Sequence, residues 1–276
     1  MGARSRRDAN VENESPGGDL GEESEDRMRE ALGIDIGGTG IKGAVVDLST
    51  GRLAGERIRF DTPKPATVAA VLDTVAAVVT ASEWEGTVGC AFPGIVKHGV
   101  VGSAANVDDG WIGTDLAGRL GERLQRPVPV LNDADAAGLA ELRFGAAQGA
   151  EGVVLLLTLG TGIGSALFVD GTLVPNTELG HLELDGANAE SRASAAARER
   201  DGLDYAQWAE RLQRYLDHVE RLFSPDLFVI GGGVSRRAEQ FLPLLSTGAP
   251  IVAAGLRQNS GIVGAAIASS RDSGAS

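Results

Sequence analysis

Apolar and polar residues follow two different spacings along the chain, and the change from one to the other marks the predicted elements. Residues 1–29 hold almost nothing that a core could bury, so they are expected to form a disordered acidic tail. From Ala31, the apolar runs ALGIDIGG and IKGAVVDL and a charged stretch that reaches Phe60 predict a β-meander. The rest of this half predicts a helix over 67–80, buried strands over 87–93 and 95–102, a helix over 115–124 capped by Thr114, and a strand ending at 132–133.

The second half repeats this order of runs. Strands are predicted over 152–160, 162–171 and 226–233, and a long helix over 205–223. The small residues of GIVGAAIAS predict a last helix, over 258–270, that packs near the junction of the two halves. We therefore expect two α/β lobes, over 30–133 and 134–276.

Composition narrows the function classes. The chain has 276 residues, 43% of them hydrophobic, and a single cysteine, Cys90, so it has no intrachain disulfide and no cysteine cluster for zinc. No apolar run approaches the roughly 20 residues that span a bilayer, and the N-terminus lacks the apolar core of a secretory signal, so a cytoplasmic protein without a membrane partner is expected. A net charge of -13 repels nucleic acid and other polyanions unless a local basic strip overrides it.

Two glycine-rich turns join strands at corresponding places in the halves. Asp35–Lys42 (DIGGTGIK) would offer free backbone N–H groups, the Thr39 hydroxyl and the Lys42 cation to phosphate oxygens, with Asp35 holding magnesium through water. Taken alone, this motif is better explained by a tight β-turn. The second turn, Leu159–Gly164 (LGTGIG), has more glycine than a turn needs, which favours phosphate contact. A strand rather than a helix follows it, so it is neither a Walker loop nor a dinucleotide fingerprint.

A carboxylate lies where a strand ends and a helix begins, in Asn132-Asp133-Ala134-Asp135. We expect Asp135 to cap the helix and Asp133 to face the cleft between the lobes as a general base. Such a base needs no raised pKa, because positioning dominates in a loose phosphoryl-transfer transition state.

Two further motifs lie downstream. Glu178 and His181 lie in one polar loop, with Glu183, Glu190 and Glu199 after it, and such groups suit the vicinal hydroxyls of a polyol. Gly231, Gly232 and Gly233 close a buried strand before a predicted helix, where a nucleotide could lie against the backbone. The basic residues nearby, which form either the basic strip or a solvated helix face, are Arg236, Arg237 and Arg257.

In their order and spacing, the motifs DIGGTGIK, LND, TLGTGIG, ELGH, GGGVS and GIVGAA resemble the ROK (repressor, open reading frame, kinase) family across residues 31–269. More narrowly, TLGTGIGSALFVDG and PNTELGHLELDG resemble bacterial polyphosphate glucokinases. The resemblance implies a two-lobed actin-like (ribonuclease H-like) α/β fold with mixed sheets. It also implies a homodimer that uses magnesium to phosphorylate glucose from polyphosphate and from ATP.

The resemblance implies roles for individual residues, and Asp133 would deprotonate the sugar 6-hydroxyl. The predicted sugar-binding residues are Asn106, Asn132, Asp133, Glu178, His181 and Glu199. The predicted donor-binding residues are Asp35, Gly37, Gly38, Thr39, Lys42, Gly160, Thr161, Gly162, Gly164, Gly231, Gly232 and Gly233. Most ROK proteins carry a cysteine-bound zinc loop after the ELGH histidine. Here the segment at 187–202 has no cysteine, so no zinc is expected, and either Glu190 or Glu199 completes the sugar site, with Glu199 fitting the spacing better.

Three other functions remain open. A sugar-sensing repressor shares the fold implied by the resemblance, but would need a winged helix ahead of it that residues 1–29 cannot form. An ATP-only kinase for mannose, fructose or an N-acetylated hexosamine would differ at only a few contacts. A polyphosphate-hydrolysing phosphatase would not need the ELGH acceptor site.

Overall fold

The described residues, 29–103 and 109–272 of a computed structural model, contain two five-stranded sheets with the same strand order. The strands of the first half are β1 (Glu30–Ile36), β2 (Gly40–Asp47), β3 (Ile58–Asp61), β4 (Val88–Phe92), β5 (Val96–Lys97), β6 (Val100–Val101) and β7 (Val130–Asn132). Those of the second half are β8 (Val153–Leu159), β9 (Ile163–Val169), β10 (Thr172–Val174), β11 (Glu183–Leu184), β12 (Ala187–Asn188), β13 (Leu227–Gly231) and β14 (Ile251–Ala253).

The first sheet has the order β3-β2-β1-β4-β7 and the second the order β10-β9-β8-β13-β14. In each, a three-stranded antiparallel meander continues into two parallel strands. The predicted meander and the repeated order of strands are therefore confirmed. The segment 95–102 forms only the short hairpin of β5 and β6, which turns at His98 and Gly99, both with positive φ.

Seven α-helices accompany these strands in the described residues. They are α1 (Val68–Ala81), α2 (Leu116–Leu124), α3 (Asp133–Phe144), α4 (Glu190–Ala193), α5 (Ala195–Arg200), α6 (Tyr205–Phe223) and α7 (Ser260–Asp272). The cap of α2 is Asp115, whose side chain accepts from Gly118 N, so the expected Thr114 cap is wrong; the Thr114 hydroxyl instead donates to Gly110 O. No helix in these parts of the chain is long and apolar enough to cross a membrane.

Alternating residues of β1 bury against different helices. Leu32, Ile34 and Ile36 share a core with the valines of α1, whereas Ala31 lies on the other face with Ile262 and Val263 of α7. The second sheet is covered in the same way, by α6 on one face and by α3 on the other. Because α3 and α7 contact each other, these two helices lie between the sheets. The last helix therefore packs onto the first sheet as well as near the junction, and the predicted lobe bounds stay a prediction.

A buried carboxylate ties the end of α3 to the chain that leads into α7. Glu141 is fully buried, and its oxygens accept hydrogen bonds from the backbone N–H groups of Ala146 (2.8 Å), Gly255 (2.9 Å) and Leu256 (2.7 Å). Charge-assisted hydrogen bonds of this kind are among the strong ones in proteins.

Replacing Glu141 by glutamine is expected to lower the free energy of unfolding by about 3 kcal/mol, because an NH₂ donor then faces backbone donors that lose their acceptor. Urea denaturation measures the change. Glu122, on the exposed side of α2, gives the matched control, and Glu122→Gln should change stability by less than about 0.5 kcal/mol. Equal effects of the two substitutions would contradict the assignment.

Candidate active site

The turns after β1, β8 and β13 and the start of α3 line one cleft that encloses about 930 Å³. The sequence-predicted residues that line it are Asp35, Gly37, Gly38, Thr39, Lys42, Asn132, Asp133, Gly160, Thr161, Gly162, Gly164, Glu178, His181, Gly232 and Gly233. Asn106 lies outside the described residues. Motifs far apart in the sequence are thus brought together at one place between the two sheets.

The two glycine turns are closed by similar backbone hydrogen bonds. Gly37 N donates to Gly40 O (3.1 Å), and Gly160 N donates to Gly162 O (3.0 Å). A side chain at Gly38 or Gly160 would meet no protein atom within 4 Å, so the protein's own packing does not require glycine there. The absence of side chains instead leaves the backbone of both turns open to a ligand in the cleft.

Asn132, rather than Asp135, caps α3. Its Oδ1 accepts from the N–H groups of Ala134 (2.7 Å) and Asp135 (3.1 Å), and its Nδ2 donates to Gly94 O (3.1 Å). The expected Asp135 cap is therefore wrong, because the residue that ends β7 already holds the capping geometry. One N–H of the Asn132 amide remains for a ligand, so its sugar-binding role stays a prediction.

Asp135 has a different use in the structure. It is buried, and its Oδ2 accepts from Asn176 N (2.8 Å), which anchors the loop that carries Glu178. Its Oδ1 has no hydrogen-bond partner among the described residues. Burial, with the charges of Asp133 and Glu178, raises the pKa of Asp135 to about 7.

Asp133 faces the open cleft, but the cleft walls surround its carboxyl group and remove much of its solvation. This burial, reinforced by the charges of Asp35 and Glu178, raises the pKa of Asp133 to about 6. Burial also raises the pKa of Asp35, although Lys42 Nζ lies 3.5 Å from its Oδ2. Neighbouring carboxylates thus oppose one another's ionisation at the base of the cleft.

The imidazole of His181 lies between two carboxylates. Its Nδ1 is 3.5 Å from Glu178 Oε2, and its Nε2 is 3.6 Å from Glu190 Oε1. Burial raises the pKa of Glu178, and the charge of His181 opposes that effect. Glu190 Oε2 also accepts from Ile163 N (3.0 Å), so Glu190 joins this group to the second glycine turn. The three side chains offer donors and acceptors on one wall of the cleft.

The structure contradicts the preference for Glu199, because Glu190 and not Glu199 lines the cleft, while the sugar-binding role of Glu190 stays a prediction. Glu199 is largely exposed, pairs with Arg198 (3.7 Å) and does not line the cleft. The reason is local: Ser194 ends α4 and caps α5 by accepting from Ala197 N, so the chain turns between the two glutamates. A serine followed by a short helical run is a cap signal that could have revealed this break.

The cleft lining also includes Gly232, Gly233, Arg236 and Arg257, and Arg236 Nη2 donates to Gln258 Oε1 (3.0 Å). Gly231, the last residue of β13, and Arg237 do not line the cleft. The helix expected after the glycines is a 3₁₀ helix, Gly233–Gln240, with a kink at Arg237. Of the three arginines in the predicted basic strip, Arg236 and Arg257 therefore line the cleft and Arg237 does not.

Comparison with known proteins adds a family to this geometry. The family model described as "ROK family" matches residues 31–200. The chain belongs to the ROK family. It is 52% identical over 246 residues to a polyphosphate glucokinase of Mycobacterium tuberculosis (strain CDC 1551 / Oshkosh), which covers 89% of this chain and 93% of that protein. A polyphosphate glucokinase of Mycobacterium leprae (strain TN) is 51% identical over 87% of this chain and 75% of its own length.

Solved structures of ROK kinases share the fold. A polyphosphate/ATP-glucomannokinase from Arthrobacter sp. strain KM superposes with a TM-score of 0.84 at 57% identity, covering 88% of this chain and 99% of that one. A ROK family glucokinase from Streptomyces griseus, in complex with glucose and AMPPNP, gives a TM-score of 0.71 at 26% identity over 88% and 99% of the two chains. The two-lobed actin-like α/β fold with mixed sheets is thereby confirmed.

The raised pKa of Asp133 leads to a prediction about stability. At pH 7.5 the carboxylate is ionised in both the folded and the unfolded chain, but the fold disfavours the charge. Asp133→Asn should therefore raise the melting temperature, by no more than a few degrees because Asp133 is open to the solvent of the cleft, which screens the effect. Near pH 3.5 the group is mostly neutral in both states and the gain should disappear. Thermal melts at both pH values test this, with Asp73→Asn on the exposed side of α1 as control. A destabilised Asp133→Asn variant at pH 7.5 would contradict the electrostatic account.

Proposed function

We propose that this protein is a glucokinase that transfers a terminal phosphoryl group from inorganic polyphosphate, and from ATP, to the 6-hydroxyl of glucose. The observation that carries the proposal is the meeting, in one cleft, of Asp133, both glycine turns and the group of Glu178, His181 and Glu190. Similarity to proteins named polyphosphate glucokinase and polyphosphate/ATP-glucomannokinase supports the choice of donor and acceptor.

In this mechanism Asp133 is the catalytic base. With a pKa of about 6 it is mostly ionised at neutral pH and can take the proton of the 6-hydroxyl as the phosphoryl group is transferred. Glu178, His181 and Glu190 would hold the other hydroxyls, so that the 6-hydroxyl points at the donor. The backbone N–H groups of the two glycine turns would bind the oxygens of the transferred group from both sheets.

Magnesium fits the donor side of the cleft, where Asp35 would hold it. The observation behind this fit is the Asp35 carboxyl, which lies near Asp133 and has Lys42 as its paired cation, at 3.5 Å. Magnesium usually keeps several waters and takes one or two carboxylates together with substrate phosphates. When bound, the ion would neutralise charge on the donor phosphates.

A long polyanion also needs positive charge along its path, since the chain as a whole carries a net charge of -13. Lys42, Arg236 and Arg257 line the same cleft as the glycine turns and would form that path. We also propose a cytoplasmic homodimer without nucleic-acid or membrane partners. Leu222 at the end of α6 and Leu244 in a 3₁₀ helix, Leu242–Leu244, that contacts α6 are large exposed apolar side chains, and they support self-association.

A second acceptor is favoured by one comparison. The Arthrobacter relative, 57% identical, is named a glucomannokinase, so mannose is the first alternative sugar to test. An ATP-only hexokinase for mannose or fructose would contain the same base and sugar-binding groups. A non-catalytic sugar sensor would not need Asp133 beside both glycine turns.

The donor and acceptor are tested by measuring glucose 6-phosphate formation with magnesium, using either ATP or medium-chain polyphosphate as sole donor. Both should support turnover, and the KM for polyphosphate should rise with salt more steeply than the KM for ATP.

Arg236→Gln should raise the polyphosphate KM, while Arg237→Gln, outside the cleft, should not. Asp133→Asn should lower kcat roughly 10²- to 10⁴-fold with either donor. Turnover with ATP alone would refute the polyphosphate assignment.

The two candidate glutamates give a second test. Glu190→Gln should raise the KM for glucose by about tenfold or more, because an amide replaces a carboxylate that accepts from sugar hydroxyls. Glu199→Gln serves as the matched control and should leave both kinetic constants unchanged. A larger effect from Glu199→Gln would restore the sequence-based assignment.

A further inference from the structure

A second concave site lies outside the active-site cleft, on the second half of the chain. It encloses about 590 Å³ between the β11–β12 hairpin, the short helices α4 and α5, and the first turns of α6. Helix α4 separates the two sites, because Glu190 at its start lines the cleft and Arg192 in its last turn lines the second site. Four guanidinium groups border this site, which we name the arginine pocket: Arg192, Arg200, Arg211 and Arg214.

Two carboxylates hold these four arginines. Asp201 bridges Arg200 (Nε to Oδ1, 2.8 Å) and Arg211 (Nη1 to Oδ2, 2.6 Å). Asp185 bridges Arg214, which donates to it, and Arg192, whose Nη1 lies 3.9 Å away. Among the residues that line the pocket, two positive charges remain unbalanced, in a chain whose overall charge is strongly negative.

The guanidinium groups are fixed in place but keep donors for a ligand. Arg200 Nη2 also donates to Ser191 O (2.8 Å), and Arg192 Nη2 to Asp185 O (3.4 Å). Within the described residues, one hydrogen bond each is found for Arg211 and Arg214, although each guanidinium carries five N–H groups. The side chains of the four arginines are 36% to 66% exposed, so their free donors can be reached from solvent.

The floor of the pocket leaves room for a ligand between these donors. It includes Ala189 and Ala193, small side chains that are almost completely buried. Burial of two alanines between four guanidinium groups creates a concave surface with a positive rim. Arginine is the side chain best suited to bind phosphate oxygens, because its planar fork can donate two parallel hydrogen bonds.

We propose that the arginine pocket binds a phosphate-bearing anion, separately from the active-site cleft. The shared chemistry is a phosphoryl group with at least two negative charges, and it has two sources: a chain of inorganic polyphosphate or the phosphate of a hexose phosphate. The proposal goes beyond the catalytic function, since none of the four arginines lines the cleft. An anion bound there would lie one short helix away from Glu190.

The test measures binding with the cleft filled. Isothermal titration calorimetry is carried out on the full chain with saturating glucose and a non-hydrolysable ATP analogue, titrating medium-chain polyphosphate, glucose 6-phosphate or inorganic phosphate. The test variant is Arg211→Gln/Arg214→Gln, which leaves Arg200 to hold Asp201 and Arg192 to hold Asp185. Arg123→Gln is the matched control, because Arg123 is also an exposed arginine paired with an aspartate, Asp73 (3.2 Å), but lies on α2.

Wild type is expected to bind polyphosphate, glucose 6-phosphate or both, with an affinity that falls as the salt concentration is raised. The double variant should bind it at least tenfold more weakly, and Arg123→Gln should bind it as wild type does. Asp185→Asn should bind more tightly, because it removes a negative charge from the pocket while asparagine tolerates the positive φ of this turn position. Preference for polyphosphate or for glucose 6-phosphate then identifies the source.

Two binding results would overturn the proposal: no binding of any probe by wild type with the cleft filled, or equal binding by wild type and the double variant. The pocket could instead be a contact between copies of the chain, and sedimentation of wild type and the double variant tests this. A lower mass for the double variant would show that the pocket is such a contact and would overturn the proposal. The turnover assay keeps the two proposals separate. Arginine-dependent binding without any kinase activity would refute the catalytic function and leave the anion site standing.

Discussion

Close packing of helix α7 against its neighbours positions the active site. Helix α7 lies directly on β1, β4 and α3: an added Cβ at Gly33 would lie 1.8 Å from Ile262 O, at Gly89 2.0 Å from Ala265 O, and at Gly264 1.8 Å from Ala136 O. No side chain fits at these three positions. Because β1 leads to Asp35 and α3 begins at Asp133, one rigid contact sets the positions of both carboxylates. Glu141 reinforces it by holding the loop that enters α7.

Holding these carboxylates close together in the cleft is electrostatically unfavourable for the fold. Asp35, Asp133, Asp135 and Glu178 all have pKa values raised mainly by burial, and the charges of neighbouring carboxylates add to the effect at Asp133 and Asp135. A protein selected for stability alone would not gather these groups, and sites that break local rules are typically functional. In the proposed mechanism, this destabilisation would be offset when magnesium or a hydrogen-bonding sugar enters the cleft. The cleft is therefore arranged to bind charge and hydroxyl groups rather than to maximise stability.

The architecture could be predicted from the sequence because its signals are local. The apolar runs around the two glycine turns and the amphipathic spacing of Tyr205–Phe223 depend on neighbours within a few residues, and the structure has these elements where they were expected. The wrong predictions concern places where two nearby residues could each fill the same role. Asn132 and Asp135 are both good caps, and only the tertiary fold makes Asn132 the cap while Asp135 binds Asn176 N. Residue spacing after the ELGH motif likewise favoured Glu199, because spacing alone does not show that the chain turns at Ser194.

The segment 187–202 has no cysteine, and in the structure it is held by other means. Trp208 Nε1 donates to Ala193 O (3.0 Å), and the Arg198 guanidinium lies 4.5 Å from the centre of the Tyr205 ring. Asp185 and Asp201 then pair with arginines of α4, α5 and α6. In this arrangement four arginines surround two carboxylates. Each exposed ion pair adds little stability, so holding the loop does not account for the two extra cations, whereas binding an anion does.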